Sequence, residues 1–93
     1  MNINFSKASV EDLQSIKKYI YADNKLAAKE VVEYIVKTIE TVILNNTAIG
    51  KAGRVLSTRE LCLTKYPYII VYQVKEQQLF IVRILHSSRK WEY

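Results

Sequence analysis

The segment YPYIIVYQV, from Tyr66 to Val74, decides the fold of this 93-residue chain. Its stretch from Tyr68 to Val74 is apolar on both faces, a pattern typical of a strand that is buried on both sides. We therefore predict that this strand lies in the middle of a sheet. A polar turn at residues 76–78 leads into a second apolar segment, Leu79 to Leu85, which predicts the neighbouring strand. So short a connection requires antiparallel pairing.

Two further strands are predicted nearer the start of the chain. Residues 54–64 predict a strand with an interruption at residues 57–58. This strand follows a loop at residues 45–53, NNTAIGKAG, which contains both glycines of the chain. Residues 2–5 predict a short strand, and the sequence leaves open which edge of the sheet it joins.

The sequence between these strands predicts two helices. We expect the first to begin at Ser9, which together with Asp12 resembles a capping box with Asp in place of Glu. The second runs from about Lys25 to Leu44 and carries an apolar stripe at helical spacing. The residues of this stripe are Ala28, Val31, Val32, Ile35, Ile39, Val42 and Ile43. The short connection between the helices predicts an antiparallel helical hairpin.

These elements predict an α+β fold of order βααβββ, in which the helical hairpin packs on one face of an antiparallel sheet. In the last strand, Phe80, Val82 and Ile84 share one side, which we expect to meet the helices. Arg83 then lies on the opposite, helix-free face of the sheet. There it is available to a partner molecule, or it pairs with Glu60.

The charge of the chain is unevenly distributed. The chain holds 14 Lys and Arg residues against 9 Asp and Glu residues, which gives a net charge of +5. In residues 1–46 the positive and negative charges cancel, so the whole excess lies in residues 47–93. This asymmetry is typical of a protein with an anionic partner, either a nucleic acid or an acidic protein segment. The alternative is a charge that keeps the protein in solution and has no target.

The length and composition favour a single domain, residues 1–93, in a reducing compartment. Cys62 is the only cysteine and cannot form an intramolecular disulfide. No Cys/His cluster predicts a metal site, and we expect no cofactor. No apolar run approaches the roughly 20 residues that a membrane span needs. We therefore expect a cytoplasmic protein that does not contact a membrane.

Three segments in this order resemble one protein family. They are GKAGRVLSTREL (Gly50 to Leu61), YPYIIVYQV, and IVRILHSSRKW (Ile81 to Trp91). Together with the βααβββ order they resemble the RelE/ParE superfamily of bacterial toxins, over essentially the whole chain. The resemblance implies one half of a type II toxin–antitoxin pair, whose toxin is wrapped and held inactive by a flexible, acidic segment of its cognate antitoxin.

The resemblance implies growth inhibition by one of two routes, which are inhibition of DNA gyrase in the ParE branch and ribosome-dependent cleavage of messenger RNA in the RelE branch. Ribonuclease members usually place an arginine two residues before the Val-Tyr dipeptide of the central strand. Here Ile69 holds that position, and an aliphatic side chain cannot stabilise phosphate charge. We therefore favour the ParE branch, which includes plasmid-stabilisation proteins and implies no intrinsic catalysis. The alternatives are a RelE-like endoribonuclease and an inactive relative that only binds its antitoxin.

A ribonuclease would need a general base, a general acid and cations that stabilise the transition state. The candidates are Glu60 as the base and His86 or Tyr93 as the acid. The candidate cations are Arg59, Arg83, Arg89 and Lys90. Under the resemblance, His86 is the strongest of these, because ribonuclease members often carry a His or a Tyr near the end of the last strand.

The chain ends in RILHSSRKWEY, residues 83–93, which concentrates polar groups at the end of the last strand. We expect the target or the antitoxin to bind at this rim of the open sheet face. The residues assigned to that surface are Arg59, Arg83, His86, Arg89, Lys90 and Trp91. Two of them also have structural interpretations, in which His86 bonds a backbone carbonyl and Trp91 caps the sheet.

Overall fold

The structure is a computed structural model, and it describes residues 1–88. Its helices and strands are, in chain order, β1 (Ile3–Phe5), α1 (Lys7–Tyr21), α2 (Lys25–Thr38), a π-helical turn (Ile39–Ile43), β2 (Lys51–Ala52), β3 (Arg59–Cys62), β4 (Tyr68–Lys75) and β5 (Gln78–His86). The predicted order βααβββ is confirmed, except that the structure contains one additional short strand. The predicted strand at residues 54–64 is shorter and becomes β3, and the two-residue β2 precedes it.

The sheet has the order β1-β5-β4-β3-β2, so β4 lies at its centre as predicted. Residues 68–72 of β4 are all buried, which accounts for their apolar character on both faces. The pairs β5–β4, β4–β3 and β3–β2 are antiparallel. The expectation of a wholly antiparallel sheet is wrong at one edge, where β1 pairs parallel with β5. Parallel pairing is possible there because β1 and β5 are far apart in the sequence, with the helical hairpin and three strands between them, so no short turn has to join them.

Both helices begin at a side-chain cap, which satisfies part of the free N–H groups of the first turn. The Ser6 Oγ accepts a hydrogen bond from the Ser9 amide at 2.9 Å, and the Asn24 Oδ1 accepts one from the Ala27 amide at 3.0 Å. The prediction that Ser9 caps α1 is wrong, because Ser9 is buried inside the helix and donates its hydroxyl to the Ser6 carbonyl. Within residues 1–88, neither helix combines the length and the apolar character that crossing a membrane demands.

The helix predicted to reach Leu44 ends in the π-helical turn, where the Leu44 amide donates to the Ile39 carbonyl at 3.1 Å. This bond spans five residues rather than the four of an α-helix. The buried side chains leading into the turn recur every four positions: Val31, Ile35, Ile39 and Ile43. In an α-helix such positions drift around the axis by about 40° per step. The wider turn reduces this drift and keeps Ile43 in the core, where it is fully buried.

The main core lies between the helices and one face of the sheet. The sheet contributes Tyr68, Ile70 and Tyr72 from β4 and Leu79, Ile81 and Ile84 from β5. The prediction that Phe80 and Val82 face the helices is wrong. A β-bulge places Val71 opposite Arg83 and Tyr72 opposite Ile81, so Val82 is an extra residue and the alternation of faces reverses within β5.

A second, smaller cluster lies on the opposite face of the sheet. Ile69, Val71 and Leu85 are 5%, 0% and 2% exposed, and Val82 packs against them. We expected this face to be left open for a partner molecule. At its centre that expectation is wrong, because these side chains are already removed from solvent within the chain itself.

The loop that joins the helical half to the strand half is fastened to the centre of the sheet by one tyrosine. Tyr72 is fully buried, and its hydroxyl donates to the Thr47 carbonyl at 2.7 Å and accepts from the Gly50 amide at 2.8 Å. A Cβ at Gly50 would lie 2.7 Å from that hydroxyl oxygen. Glycine is therefore required at this position by close approach, since its φ is not in the left-handed region.

Candidate functional site

A cleft of about 550 Å³ lies between α1 and the ends of β4 and β5. It forms there because β1 ends at Phe5, so that α1 rather than another strand runs along the remaining edge of β5. Its polar lining within the described residues consists of Asp12, Ser15, Tyr19, Tyr68, Arg83, His86 and Ser88. Two residues assigned from the sequence, Arg83 and His86, thus line one cleft.

Arg83 forms a two-pronged ion pair with Asp12 of α1. Its Nε lies 2.7 Å from Asp12 Oδ2 and its Nη2 lies 2.9 Å from Asp12 Oδ1. The hydrogen bonds that Arg83 donates to Asp12 raise the pKa of its guanidinium, an effect that burial opposes. The expected pairing of Arg83 with Glu60, or its availability on an open face, is therefore wrong. The guanidinium bonds instead to the helix at the edge of β5.

The same aspartate closes the edge of β5. Its Oδ2 accepts the Ile84 amide at 2.9 Å, and the Ser6 hydroxyl donates to the Val82 carbonyl at 2.7 Å. Side chains of α1 and its cap thus satisfy backbone groups that a further strand would otherwise bond. The prediction missed this role of Asp12, because 71 residues separate it from Arg83 and no local pattern indicates the contact.

His86 lines the cleft beside the ring of Tyr68, with the ring centroids 5.4 Å apart in an edge-to-face arrangement. Its Nδ1 accepts the Ser88 amide at 3.2 Å and lies 2.7 Å from the Ser88 hydroxyl oxygen. Because a backbone amide can only donate, Nδ1 is the acceptor in this contact. The Ser87 amide donates to the Pro67 carbonyl at 2.8 Å, which holds the turn after β5 against the start of β4.

Two tyrosines complete the wall of the cleft. Tyr68 is 7% exposed, and burial together with the nearby Tyr19 raises the pKa of its hydroxyl. This hydroxyl is therefore neutral at physiological pH. Tyr19 is 79% exposed on α1. The cleft thus offers aromatic surface and hydroxyl groups beside the internally compensated Asp12–Arg83 ion pair, a combination that suits the recognition of a protein.

Glu60 and Arg59 were also assigned from the sequence, and both lie on β3, away from this cleft. Glu60 is 3% exposed, and its Oε2 accepts the Arg54 amide at 2.9 Å while its Oε1 lies 3.7 Å from Arg54 Nε. Val71 lies between Glu60 and Arg83 in the pairing register, so their backbones are two strand spacings, about 10 Å, apart. Arg59 donates to the Gly50 carbonyl at 2.8 Å. The assignments to Arg89, Lys90, Trp91 and Tyr93 lie outside the described residues.

Comparisons with known proteins identify the family. Residues 3–91 match the model of the ParE toxin of type II toxin–antitoxin systems, parDE. The toxin-like protein Y4kP of Sinorhizobium fredii is 33% identical over 89 residues, which cover 96% of this chain and 91% of that protein.

Solved structures share the fold. The chromosomal ParDE toxin–antitoxin system of P. aeruginosa superposes with a TM-score of 0.79 at 24% identity, over 92% of this chain and 95% of that chain. The isolated RelE toxin of E. coli gives a TM-score of 0.58 at 13% identity, over 96% and 86% of the two chains. Solved ParE and RelE structures thus share the fold of this chain, and the family match assigns it to the ParE branch. The chain belongs to the family of ParE toxins of type II toxin–antitoxin systems.

Proposed function

We propose that this ParE-type toxin arrests growth by binding DNA gyrase, and that a cognate antitoxin neutralises it. The observation that supports protein binding over RNA cleavage is the environment of Ile69. Its side chain lies on the same sheet face as Leu85 and is 5% exposed, packed in the second cluster. The position where ribonuclease relatives carry an arginine is thus occupied by an aliphatic group in a dry, apolar setting.

The state of Arg83 supports the same proposal. Phosphoryl-transfer chemistry needs cations that are free to stabilise charge as it develops in the transition state. The guanidinium of Arg83 already binds both carboxylate oxygens of Asp12. A phosphate would have to compete with this pair, whereas a protein partner can use the surface with the pair intact.

The antitoxin proposal is supported by the family and by charge. A structure of the E. coli RelBE toxin–antitoxin complex shares this fold, with a TM-score of 0.60 at 14% identity, over 95% of this chain and 98% of that chain. In this chain the excess of positive charge lies entirely after residue 46. An acidic antitoxin segment would complement it. Since gyrase and the antitoxin are cytoplasmic, the proposed site of action is the cytoplasm.

RelE-like cleavage of messenger RNA is the alternative, because His86 and Arg83 line the same cleft. Two assays decide between them. The purified chain is added to a gyrase supercoiling reaction and, in parallel, to a translation extract in which messenger ends are mapped. We expect loss of supercoiling with intact messages. Codon-position cleavage that disappears in His86→Ala would contradict the proposal. A chain that neither lowers supercoiling nor cleaves messages, but still binds its antitoxin, would be the inactive relative.

A further inference from the structure

The turn between β2 and β3 exposes apolar side chains to an unusual degree. We call residues 54–57 the hairpin tip. Leu56 is 92% exposed and Val55 is 39% exposed. Single exposed apolar residues are common on protein surfaces and need no explanation by themselves. However, several hydrogen bonds within the chain hold the backbone around Leu56, so its exposed side chain is presented in a fixed position.

Thr58 forms hydrogen bonds that close the turn at the hairpin tip. Its carbonyl accepts the Gly53 amide at 2.8 Å, and its own amide donates to the Val55 carbonyl at 3.2 Å. Its hydroxyl donates to the same Val55 carbonyl at 2.6 Å. Thr58 is only 8% exposed. Gly53 lies so close that an added Cβ would overlap the Thr58 hydroxyl oxygen. The tip is therefore a fixed structure rather than a loose connection.

A buried carboxylate fixes the other side of the tip. Glu60 is 3% exposed, and it accepts the Arg54 amide and lies beside the Arg54 side chain. Burial of a carboxylate is costly unless it is paired and hydrogen-bonded. Here the arrangement fixes the first residue of the tip, and it leaves the Arg54 side chain 46% exposed at the base of the apolar pair.

The tip also contains backbone strain. Ser57 has a φ of 68°, in the left-handed region that residues with a side chain seldom adopt. Such conformations persist where surrounding contacts enforce them, and they cluster at binding sites. The strain lies immediately after Leu56 and turns the chain back towards β3.

We propose that Leu56 is an anchor side chain that enters an apolar pocket of the protein target, a pocket bordered by carboxylates that meet Arg54 and Lys51. A preformed tip loses little conformational freedom on binding, which favours affinity. Among the residues that the structure describes near the tip, the exposed charges are the cations Lys51, Arg54 and Arg59, while Glu60 is buried. This charge pattern complements an acidic rim. Aliphatic side chains also provide no stacking surface for nucleic-acid bases.

This assignment rests on the proposed function, since it requires a protein target. Leu56→Ser tests it, and Leu26→Ser is the matched control, because Leu26 is also exposed, at 65%, but lies on the regular helix α2. Thermal unfolding confirms that each variant is folded, and antitoxin binding is then measured separately. We expect Leu56→Ser to need at least about tenfold more protein for half-inhibition of supercoiling and to lose growth arrest. Leu26→Ser and Leu56→Met should behave as the natural chain does.

Growth arrest of natural strength by folded Leu56→Ser would overturn the anchor. Loss of antitoxin binding in that folded variant would also overturn it, since the tip would then serve the antitoxin. If the natural chain arrests growth without inhibiting gyrase, the proposed function fails, and the growth assay alone decides the anchor. If the expressed natural chain arrests no growth, both proposals are wrong.

Discussion

At the scale of single residues, Asp12 fastens α1 to the sheet. It accepts two hydrogen bonds from the Arg83 guanidinium and one from the Ile84 amide. The side chains of Asp12 and Arg83 are 15% and 26% exposed, so the pair is well shielded from water. Such partly buried, two-pronged pairs contribute more than exposed ones.

Asp12→Ala should lower the free energy of unfolding by about 1–3 kcal/mol, because it removes the acceptor of the Ile84 amide and the counter-charge of Arg83. Urea denaturation measures the change. Asp12→Asn should cost less, since the amide oxygen still accepts one bond. The neighbouring, exposed Glu11→Gln is the control and should stay within about 0.5 kcal/mol of the natural chain. Equal losses for Asp12→Ala and Glu11→Gln would contradict this role.

A second residue-scale prediction concerns the contact between Gly50 and Tyr72. Gly50→Ala should destabilise the chain by about 1–3 kcal/mol, because the new Cβ overlaps the tyrosine hydroxyl. Tyr72→Phe should cost about 1–3 kcal/mol through its two lost hydrogen bonds. In the double variant the overlap is relieved in part, so the combined loss should be smaller than the sum. Strict additivity in denaturation experiments would show that the two residues are not coupled.

At the scale of elements, the apolar patterns correctly predicted the strands and helices whose signal lies in the spacing of neighbouring residues. The two-sided apolar run located β4 at the centre of the sheet, and the helical stripe located α2. The bulge at Val82 was not predictable, because it arises from how β5 pairs with β4 and leaves no change in the apolar run. For the same reason the faces of Leu79 and Phe80 were predicted the wrong way round. The parallel β1–β5 pair also depends on tertiary packing alone.

The two helix caps should contribute differently to the free energy of unfolding. Ser6 caps α1 and also bonds the Val82 carbonyl of β5, whereas the Asn24 cap of α2 is a local bond at an exposed position. Asn24→Ala should therefore cost about 1 kcal/mol and Ser6→Ala about 1–3 kcal/mol. Guanidinium denaturation followed by circular dichroism compares them. A larger loss for Asn24→Ala would contradict the attachment of α1 to β5 through Ser6.

At the scale of the whole molecule, the candidate site was predicted only in part. The sequence placed Arg83 and His86 near the end of β5, and they do line one cleft. Its other wall, with Tyr19 and Asp12, could not be inferred, since α1 reaches β5 only through the tertiary fold. Glu60 and Arg59 instead organise the loops beside β3. The predicted open sheet face contains a buried apolar cluster at its centre.

A cleft with aromatic walls, an arginine compensated by Asp12 and a preformed apolar tip together favour protein binding. The most direct test is a titration of the purified chain into a gyrase supercoiling reaction, followed by addition of its cognate antitoxin. We expect supercoiling to fall as the chain is added and to return as the antitoxin reaches equimolar amounts. Undiminished supercoiling at a large excess of folded chain would contradict gyrase binding as the route to growth arrest.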